Sequence, residues 1–338
     1  MQVNSAGPAW AMVATMTTEP CHKFESLLEA CRGLGAVAAA VAHPCDAQSL
    51  RGVVDATLAG LIWPILVGPA ARMRAAAARA GLDVSAFEIV DTPHSHASAI
   101  EAVRLVREGR AEMLVKGSLH TDELMAEVVN PASGLRTARR VSHCFVLDVP
   151  SLEHLVIISD AAVNIAPDLA AKVDIVQNAI DFAHALGFGA QSGDVRVAIL
   201  SANENVNPKI VSTLEAAALC KMADRGQITG AILDGPLALD NAISLAAAHI
   251  KHIDSPVAGR ANVLIVPDLE AGNMLAKSLS FLAGAEAAGV VLGAKVPIVL
   301  TSRADSAAAL LVSCAAALML AHGRQRSCQS PRLELPRS

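Results

Sequence analysis

The polar turn at residues 297–306, which reads P-I-V-L-T-S-R-A-D-S, carries the clearest chemical signal in the chain. An apolar run ends there in Ser302, Arg303 and Asp305, and strand ends of open α/β sheets are where ligands bind. The planar guanidinium of Arg303 can hold two phosphate oxygens and stays charged at any working pH. The turn therefore predicts a phosphate seat, although a plain surface turn before a helix is the simpler alternative.

A second polar turn, K-G-S-L-H-T, follows the apolar run M-L-V. Lys116 and His120 bring a cation and a titratable imidazole to a strand end, and Gly117 and Ser118 are small enough for close backbone approach to a ligand. The turn is not a Walker loop, because the order G-x-x-x-x-G-K is absent. We predict that Lys116 and His120 bind substrate; a strand-to-helix turn capped by Thr121 is the alternative.

A basic cluster precedes the apolar run C-F-V-L-D-V-P and contains Arg136, Arg139 and Arg140. In a chain with a formal net charge of −5, this cluster could hold the phosphates of a nucleotide-like carrier through charge-assisted hydrogen bonds. A solvated turn with surface ion pairs is the alternative. We predict that Arg136 and Arg139 bind substrate, and that one of the three arginines points elsewhere.

Two further strand-end runs, L-S-A-N-E-N-V-N-P and V-P-D-L-E-A-G-N-M, contain Asn203 and Asn273. Their amides could orient a thioester or polarise its carbonyl, while Asx turns and helix caps are the alternative. Because each run follows a strand, we expect both asparagines to converge with residues 116–121 and 297–306 at the carboxyl edge of a sheet.

Composition limits the class of protein. A length of 338 residues fits about two domains. The apolar fraction is 53% but is dispersed, aromatic residues make up 2%, and the seven cysteines form no C-x-x-C pair. Neither an H-E-x-x-H motif nor another metal spacing is present, so no metal site is predicted. The net charge of −5 argues against nucleic-acid or membrane partners, and we expect a cytoplasmic protein.

Apolar strand-like runs alternate with alanine-rich helical runs along the chain, which predicts an α/β fold of doubly wound, mostly parallel sheets. The extended connection at Pro150 marks a boundary between two halves. One of the predicted helices covers residues 271–288. Residues 1–20 are expected to form a disordered lead, and residues 323–338 a disordered tail.

Six ordered motifs between about Gly33 and His322 resemble those of the phosphate acetyltransferase and phosphate butyryltransferase family: V-K-G-S-L-H-T, L-R-T-A-R-R-V-S-H-C-F-V-L-D-V-P, D-A-A-V-N-I-A-P-D-L, D-G-P-L-A-L-D-N-A-I, N-V-L-I-V-P-D-L-E-A-G-N-M-L-A-K and P-I-V-L-T-S-R-A-D-S. The resemblance implies two α/β domains of the isocitrate/isopropylmalate dehydrogenase type and a homodimer. The first domain would comprise residues 21–150 plus 297–322, and the second residues 151–296.

The resemblance also implies the reaction: reversible acyl transfer between coenzyme A and inorganic phosphate, with acetyl or butyryl as the acyl group and no further cofactor. Ser302 and Arg303 match the Ser-Arg pair of the family and would seat phosphate and stabilise developing charge. By analogy with deletions in oxyanion holes, losing Arg303 should raise the barrier by roughly 3 kcal/mol or more.

Three departures from the acetyl-specific pattern stand out. Ala309 occupies the position of an aspartate proposed as the base for the thiol, which makes Asp305 the nearest substitute. Met125 stands near the place of an arginine, and Phe281 replaces a basic residue. The run T-S-R-A-D-S together with L-R-T-A-R-R resembles the butyryl branch more closely, so the acyl-chain preference stays open.

Two other hypotheses stay open at the level of the sequence. One is a non-catalytic acyl-CoA-binding protein that kept the cleft and lost the base. The other is a decarboxylating dehydrogenase of the same superfamily, which would need a metal held by carboxylates and a nicotinamide site.

Overall fold

The computed structural model describes residues 23–190, 194–302 and 305–329. Its strands alternate with helices, as the sequence predicts. In chain order the strands are β1 Val37–Ala42, β2 Ile62–Gly68, β3 Glu88–Asp91, β4 Met113–Lys116, β5 Ser142–Asp148, β6 Val156–Ser159, β7 Arg196–Leu200, β8 Ile232–Leu237, β9 Val263–Ile265, β10 Glu286–Leu292 and β11 Ile298–Val299.

The helices connect these strands and cover both faces of the sheet. They are α1 Lys23–Ala30, α2 Ala47–Leu58, α3 Ala70–Arg79, α4 Ser95–Arg107, α5 Thr121–Val128, α6 Leu169–Ala185, α7 Val211–Asp224, α8 Leu239–Ile243, α9 Leu245–Ile250, α10 Leu269–Leu282 and α11 Ala307–Gln329. Several begin at an aspartate whose carboxylate accepts from the backbone three residues later, as Asp46, Asp168 and Asp268 do at α2, α6 and α10.

One sheet of 11 strands runs through the described residues, in the order β3-β2-β1-β4-β11-β10-β5-β6-β9-β7-β8. Pairing is parallel on both sides of the sheet but antiparallel at three consecutive steps in its middle, β11 with β10, β10 with β5, and β5 with β6. The strand direction therefore reverses between the β1–β4–β11 side and the β6–β9–β7 side. This reversal decides which strand ends can meet.

The core is built from small aliphatic side chains, because aromatic residues are scarce. Ala39, Ala40, Val41 and Ala42 on β1 are all fully buried, so both faces of this strand are covered by helices. The returning helix α11 packs against α2 and β10, and Gly52 permits the contact with α2 because a Cβ there would lie 2.9 Å from Leu310 Cβ.

Two element boundaries differ from the sequence-based prediction. The predicted helix over residues 271–288 ends at Leu282, and the strand β10 begins at Glu286. Gly284 has a φ of 67°, which ends the helix, while the alanine-rich composition of this stretch favoured helix in the prediction. The predicted tail also starts too early, because α11 continues through residues 323–329.

The return of the chain to its first half is visible in the pairing of β11 with β4. β10, which was predicted to lie within the second domain, pairs with β11 and β5 in the middle of the sheet. The division into domains 21–150 plus 297–322 and 151–296 stays a prediction, and the predicted lead and residues 330–338 lie outside the described residues. None of the helices within the described ranges combines the length and apolar character needed to cross a bilayer.

Candidate functional site

A cavity of about 430 Å³ opens where β4 and β11 end and α2 begins. Its polar lining comes from three separate stretches of the chain, and we call it the lysine cavity. Its members include Asp46, Ser49, Lys116, Ser118, Ser302 and Asp305. Three predicted site residues, Lys116, Ser302 and Asp305, thus line one cavity although 189 positions separate the first from the last.

Lys116 is the central cation of the lysine cavity. It ends β4 between β1 and β11, and only 3% of the residue is exposed. Its ammonium donates to the carbonyl oxygens of Thr301 (3.1 Å) and Gly117 (3.3 Å). Backbone carbonyls therefore orient a buried positive charge at the rim of the sheet, where it attracts an anion more strongly than an exposed lysine would.

The turn after Lys116 packs tightly on the end of β1. A Cβ on Gly117 would lie 2.6 Å from the Ala42 carbonyl oxygen, so only glycine fits at this position. The Ser118 hydroxyl donates to the His43 carbonyl (2.7 Å) and accepts from the Cys45 N–H (3.1 Å). These contacts fix the floor of the lysine cavity.

Ser302 and Asp305 close a compact turn before α11. The Asp305 carboxylate accepts from the Ser302 N–H (2.6 Å), and the Asp305 N–H donates to the Ser302 carbonyl. Burial raises the pKa of Asp305, while the hydrogen bond from Ser302 and the charges of Lys116 and Lys277 oppose the rise. Arg303, the predicted phosphate ligand, lies outside the described residues.

Helix α2 also contributes to the lysine cavity, which was not predicted from the sequence. Asp46 caps this helix by accepting from the Ser49 N–H (2.7 Å), and both residues line the lysine cavity. The run V-A-A-A-V-A followed by H-P-C-D-A-Q-S carries the signal, since it is an apolar strand with an N-cap residue shortly after its end.

His120 lies beside this region but is not among the residues that line the lysine cavity. It is exposed, directly precedes α5, and its N–H donates to the Glu123 carboxylate (3.2 Å). Its predicted substrate contact stays a prediction. The described residues contain no group of three or more His, Cys, Asp or Glu side chains placed to hold a metal ion.

The basic cluster lines a different cavity, of about 570 Å³, which we call the arginine cavity. Arg139 forms an ion pair with Asp181 of α6, and Arg140 donates from Nε to Asn164 (2.7 Å). The backbone of Arg136 forms a bridge with Ala294, next to the end of β10 that points away from Ser302. The expectation that one of the three arginines points elsewhere stays a prediction, because all three line the arginine cavity.

Asn203 follows β7 and Asn273 follows β9, in the half of the sheet that lies beyond the antiparallel strands β10 and β5. Asn203 Oδ1 is buried and makes no hydrogen bond with the described residues, and Asn273 donates to the Ala161 carbonyl (3.3 Å). The expected convergence of all strand ends at one edge is wrong. The antiparallel steps around β10 and β5 reverse the direction of β7 and β9, so Asn203 and Asn273 are not among the residues lining the lysine cavity. Arg136 and Arg139 are not among them either, because they precede β5 and so lie at the other end of that strand.

The lysine cavity has the chemistry of an anion site with a proton-transfer group. A buried ammonium and hydroxyl donors suit a phosphate dianion, and a carboxylate whose pKa is raised lies at the same cavity. Such a set can orient an oxyanion nucleophile and stabilise negative charge that develops in a transition state.

Comparison with known proteins agrees with this chemistry. Residues 96–318 match the family model described as phosphate acetyl/butaryl transferase. The chain is 61% identical to a phosphate acetyltransferase of Rhizobium meliloti over 91% of its own length and 96% of that protein. It is 41% identical to a phosphate butyryltransferase of Clostridium acetobutylicum, over 84% of its length and 93% of that protein. These identities do not support the expectation of a closer likeness to the butyryl type.

Solved structures extend the comparison to the fold. A branched-chain phosphotransacylase from Enterococcus faecalis V583 matches 85% of this chain and 99% of its own, with 31% identity and a TM-score of 0.73. A 4-hydroxythreonine-4-phosphate dehydrogenase from Klebsiella pneumoniae matches 85% of this chain and 100% of its own with a TM-score of 0.51 at 13% identity, a likeness of fold alone. The dehydrogenase-like α/β fold is thereby confirmed, and the chain belongs to the phosphate acetyl/butyryltransferase family.

Proposed function

We propose that this protein is a phosphate acyltransferase that converts an acyl-CoA and inorganic phosphate into an acyl phosphate and coenzyme A. The observation that carries the proposal is the lysine cavity, which joins the buried Lys116 ammonium to Ser302 and Asp305 at the carboxyl ends of β4 and β11. Family membership supports the same reaction.

In this proposal, phosphate lies against Lys116 and the hydroxyl of Ser302, and Arg303 adds the bidentate contact that the family resemblance implies. A phosphate oxygen attacks the thioester carbonyl, and a carbon–oxygen bond forms as the carbonyl becomes a tetrahedral oxyanion. When the oxyanion collapses, the carbon–sulfur bond breaks and coenzyme A thiolate leaves. The positive charge at the cavity stabilises the oxyanion by electrostatic attraction as its negative charge develops.

Asp305 is the group that we assign to the proton. The phosphate loses a proton in the reaction and the thiolate gains one, so a carboxyl group between them can carry it. Burial raises the pKa of Asp305, which suits a group that must both accept and return a proton. Ala309 cannot do this, although it stands where the acetyl-specific pattern has an aspartate.

Several parts of the proposal rest on the sequence alone, either on the family resemblance or on the residue pattern. We propose that the enzyme uses acetyl or butyryl groups, works without a cofactor other than its coenzyme A substrate, forms a homodimer and acts in the cytoplasm. The substrate contacts of His120, Arg136, Arg139, Asn203 and Asn273 stay predictions and are not needed for the steps given above.

The direct test is phosphate-dependent release of thiol from acetyl-CoA, propionyl-CoA and butyryl-CoA, with acyl phosphate trapped by hydroxylamine. We expect release with at least one of these thioesters and no release when phosphate is omitted. Absence of turnover with all three, in protein that still binds coenzyme A in calorimetry, would favour the acyl-CoA-binding hypothesis. The relatives are named for acyl transfer, which supports the enzyme over both alternatives.

A further inference from the structure

A second cavity, of about 220 Å³, lies directly beside the lysine cavity. It opens between the end of α10 and the first turns of α11, and we call it the α10–α11 cavity. Asp305 and Ser306 line both cavities, so the turn that begins α11 forms the wall between them. Any group seated in the α10–α11 cavity is therefore next to the site that we assign to phosphate.

Carbon side chains make up most of the far wall of the α10–α11 cavity. Ala309 and Val312 face it from α11, Phe281 from the end of α10 and Phe24 from α1. Phe24 is 5% exposed and Val312 is 5% exposed, so these two close the inner end. Phe281 is 79% exposed and stands at the mouth. The cavity is thus apolar at its inner end, while Ser280, Glu286 and Asp305 give the rest of its lining a polar character.

The proposed reaction requires an apolar group at such a place. The thioester carbonyl must lie within bonding reach of the phosphate, and the acyl chain continues from that carbonyl without any polar atom. Burying this chain against methyl groups and a phenyl ring is favourable, at about 0.8 kcal/mol for each methylene. At about 220 Å³ the cavity is smaller than pockets for drug-sized ligands, which suits a short chain and excludes a whole coenzyme A.

We propose that the α10–α11 cavity receives the acyl chain and that Ala309, together with Val312, sets the longest chain the enzyme accepts. This rests on the proposed acyl transfer. Ala309 and Val312 are three residues apart on α11 and share one face of the helix. A methyl group at position 309 leaves space that a longer side chain would fill.

The test compares Ala309→Leu with the wild type across acetyl-, propionyl-, butyryl- and hexanoyl-CoA. We expect kcat/KM for the longest thioester that the wild type turns over to fall about tenfold or more, because steric exclusion of a methylene or two has effects of this size. Values for acetyl-CoA should change less than threefold, and KM for phosphate should stay unchanged. An equal loss for every thioester would overturn the proposal, since it would show that the cavity does not discriminate between acyl chains of different length.

Two further variants keep the result interpretable. Ala75→Leu places the same side chain on an exposed alanine of α3 that lines neither cavity, and it should leave the chain-length profile unchanged. Val312→Ala enlarges the inner end and should raise kcat/KM for the next longer thioester relative to acetyl-CoA. If Ala309→Leu fails to fold, an unchanged profile in Val312→Ala overturns the proposal by itself. A wild type that releases no thiol refutes the proposed function instead, so the two failures are distinguishable.

Discussion

The lysine cavity and the arginine cavity are both lined by positively charged side chains, but the charge is buried in the first and exposed in the second. Lys116 is 3% exposed and its ammonium is oriented by two backbone carbonyls. Arg139 is exposed and forms an ion pair with Asp181 across a surface where both side chains remain more than 40% accessible. The arginine turn has the higher density of cations in the sequence, yet we expect the buried Lys116 to form the better anion site.

We infer from this difference that the burial and orientation of a cation matter more for anion binding than the number of cations. A desolvated ammonium interacts with an anion through a lower effective dielectric, whereas an exposed guanidinium with a carboxylate partner is already screened and neutralised. The lysine cavity should therefore control catalysis, and the arginine cavity should contribute little to it.

Replacing Lys116 tests the strong side of this comparison. Lys116→Met keeps most of the side-chain volume and removes the charge, so we expect the barrier to rise by about 3 kcal/mol and kcat/KM for phosphate to fall by about 100-fold. Initial rates of thiol release at varied phosphate concentration measure the change. A decrease of less than threefold, in a variant with wild-type circular dichroism, would remove Lys116 from the site.

His143 on β5 tests how much stability is lost when a polar group is buried without a hydrogen-bond partner among the described residues. The side chain is fully buried, neither ring nitrogen makes a well-aligned hydrogen bond with the described residues, and burial lowers its pKa to about 4 against the opposing influence of Asp160. Above pH 6.5 the imidazole is neutral whether the chain is folded or unfolded. Between pH 6.5 and 4 the unfolded chain binds a proton that the folded chain does not, so stability falls by about 1.4 kcal/mol per pH unit.

The variant His143→Leu should remove this loss. We expect the wild type to lose about 3 kcal/mol relative to the variant as the pH is lowered from 7 to 4. Urea unfolding of both proteins at several pH values gives the difference directly. Parallel pH profiles would mean that the folded protein accommodates the charged imidazole.

Asp305→Asn tests the proton-transfer group of the lysine cavity. We expect kcat to fall about tenfold to a hundredfold, because a carboxyl proton carrier is lost while the turn with Ser302 is retained. In the wild type, the rate should decline as the pH falls through a pKa above the ordinary value for aspartate, and this limb should disappear in the variant.

The same substitution should not destabilise the protein at pH 7. Because the pKa of Asp305 is raised on folding, the folded chain binds its proton more tightly, and the ionised carboxylate costs stability at neutral pH. Asp305→Asn is therefore expected to be as stable as the wild type or more stable at pH 7. Thermal unfolding that shows a clear loss at pH 7 would instead assign Asp305 a structural role.

Arg139→Met tests the weak side of the comparison and has the smallest expected effect. Exposed ion pairs contribute about 1 kcal/mol or less, so we expect little change in the free energy of unfolding and less than a threefold change in kcat/KM. Assays at low ionic strength are the most sensitive to the predicted contact between Arg139 and the substrate, because salt screens exposed charges. A loss above tenfold in kcat/KM for acyl-CoA would show that the arginine cluster is part of the active site.

The sequence by itself determined much about this protein. Polar residues after strand ends predicted a site at Lys116, Ser302 and Asp305, and these three residues line one cavity. The alternation of apolar runs with alanine-rich helices predicted the α/β fold, because burial of both faces of a parallel strand leaves a direct pattern in the residues. The ordered motifs gave the family.

Only the tertiary structure decided which strand ends meet. The start of strand β10 lies in an alanine-rich stretch that favours helix locally, so the sequence predicted helix there. The pairing of β10 with β11 and β5 reverses the strand direction within the sheet. That reversal separates Asn203 and Asn273 from Lys116, whereas the parallel pairing of β1 with β4 brings Asp46 of α2 into the lysine cavity. Strand pairing joins residues far apart in the chain, so local propensity carries no information about it, and the convergence of a site follows from the pairing.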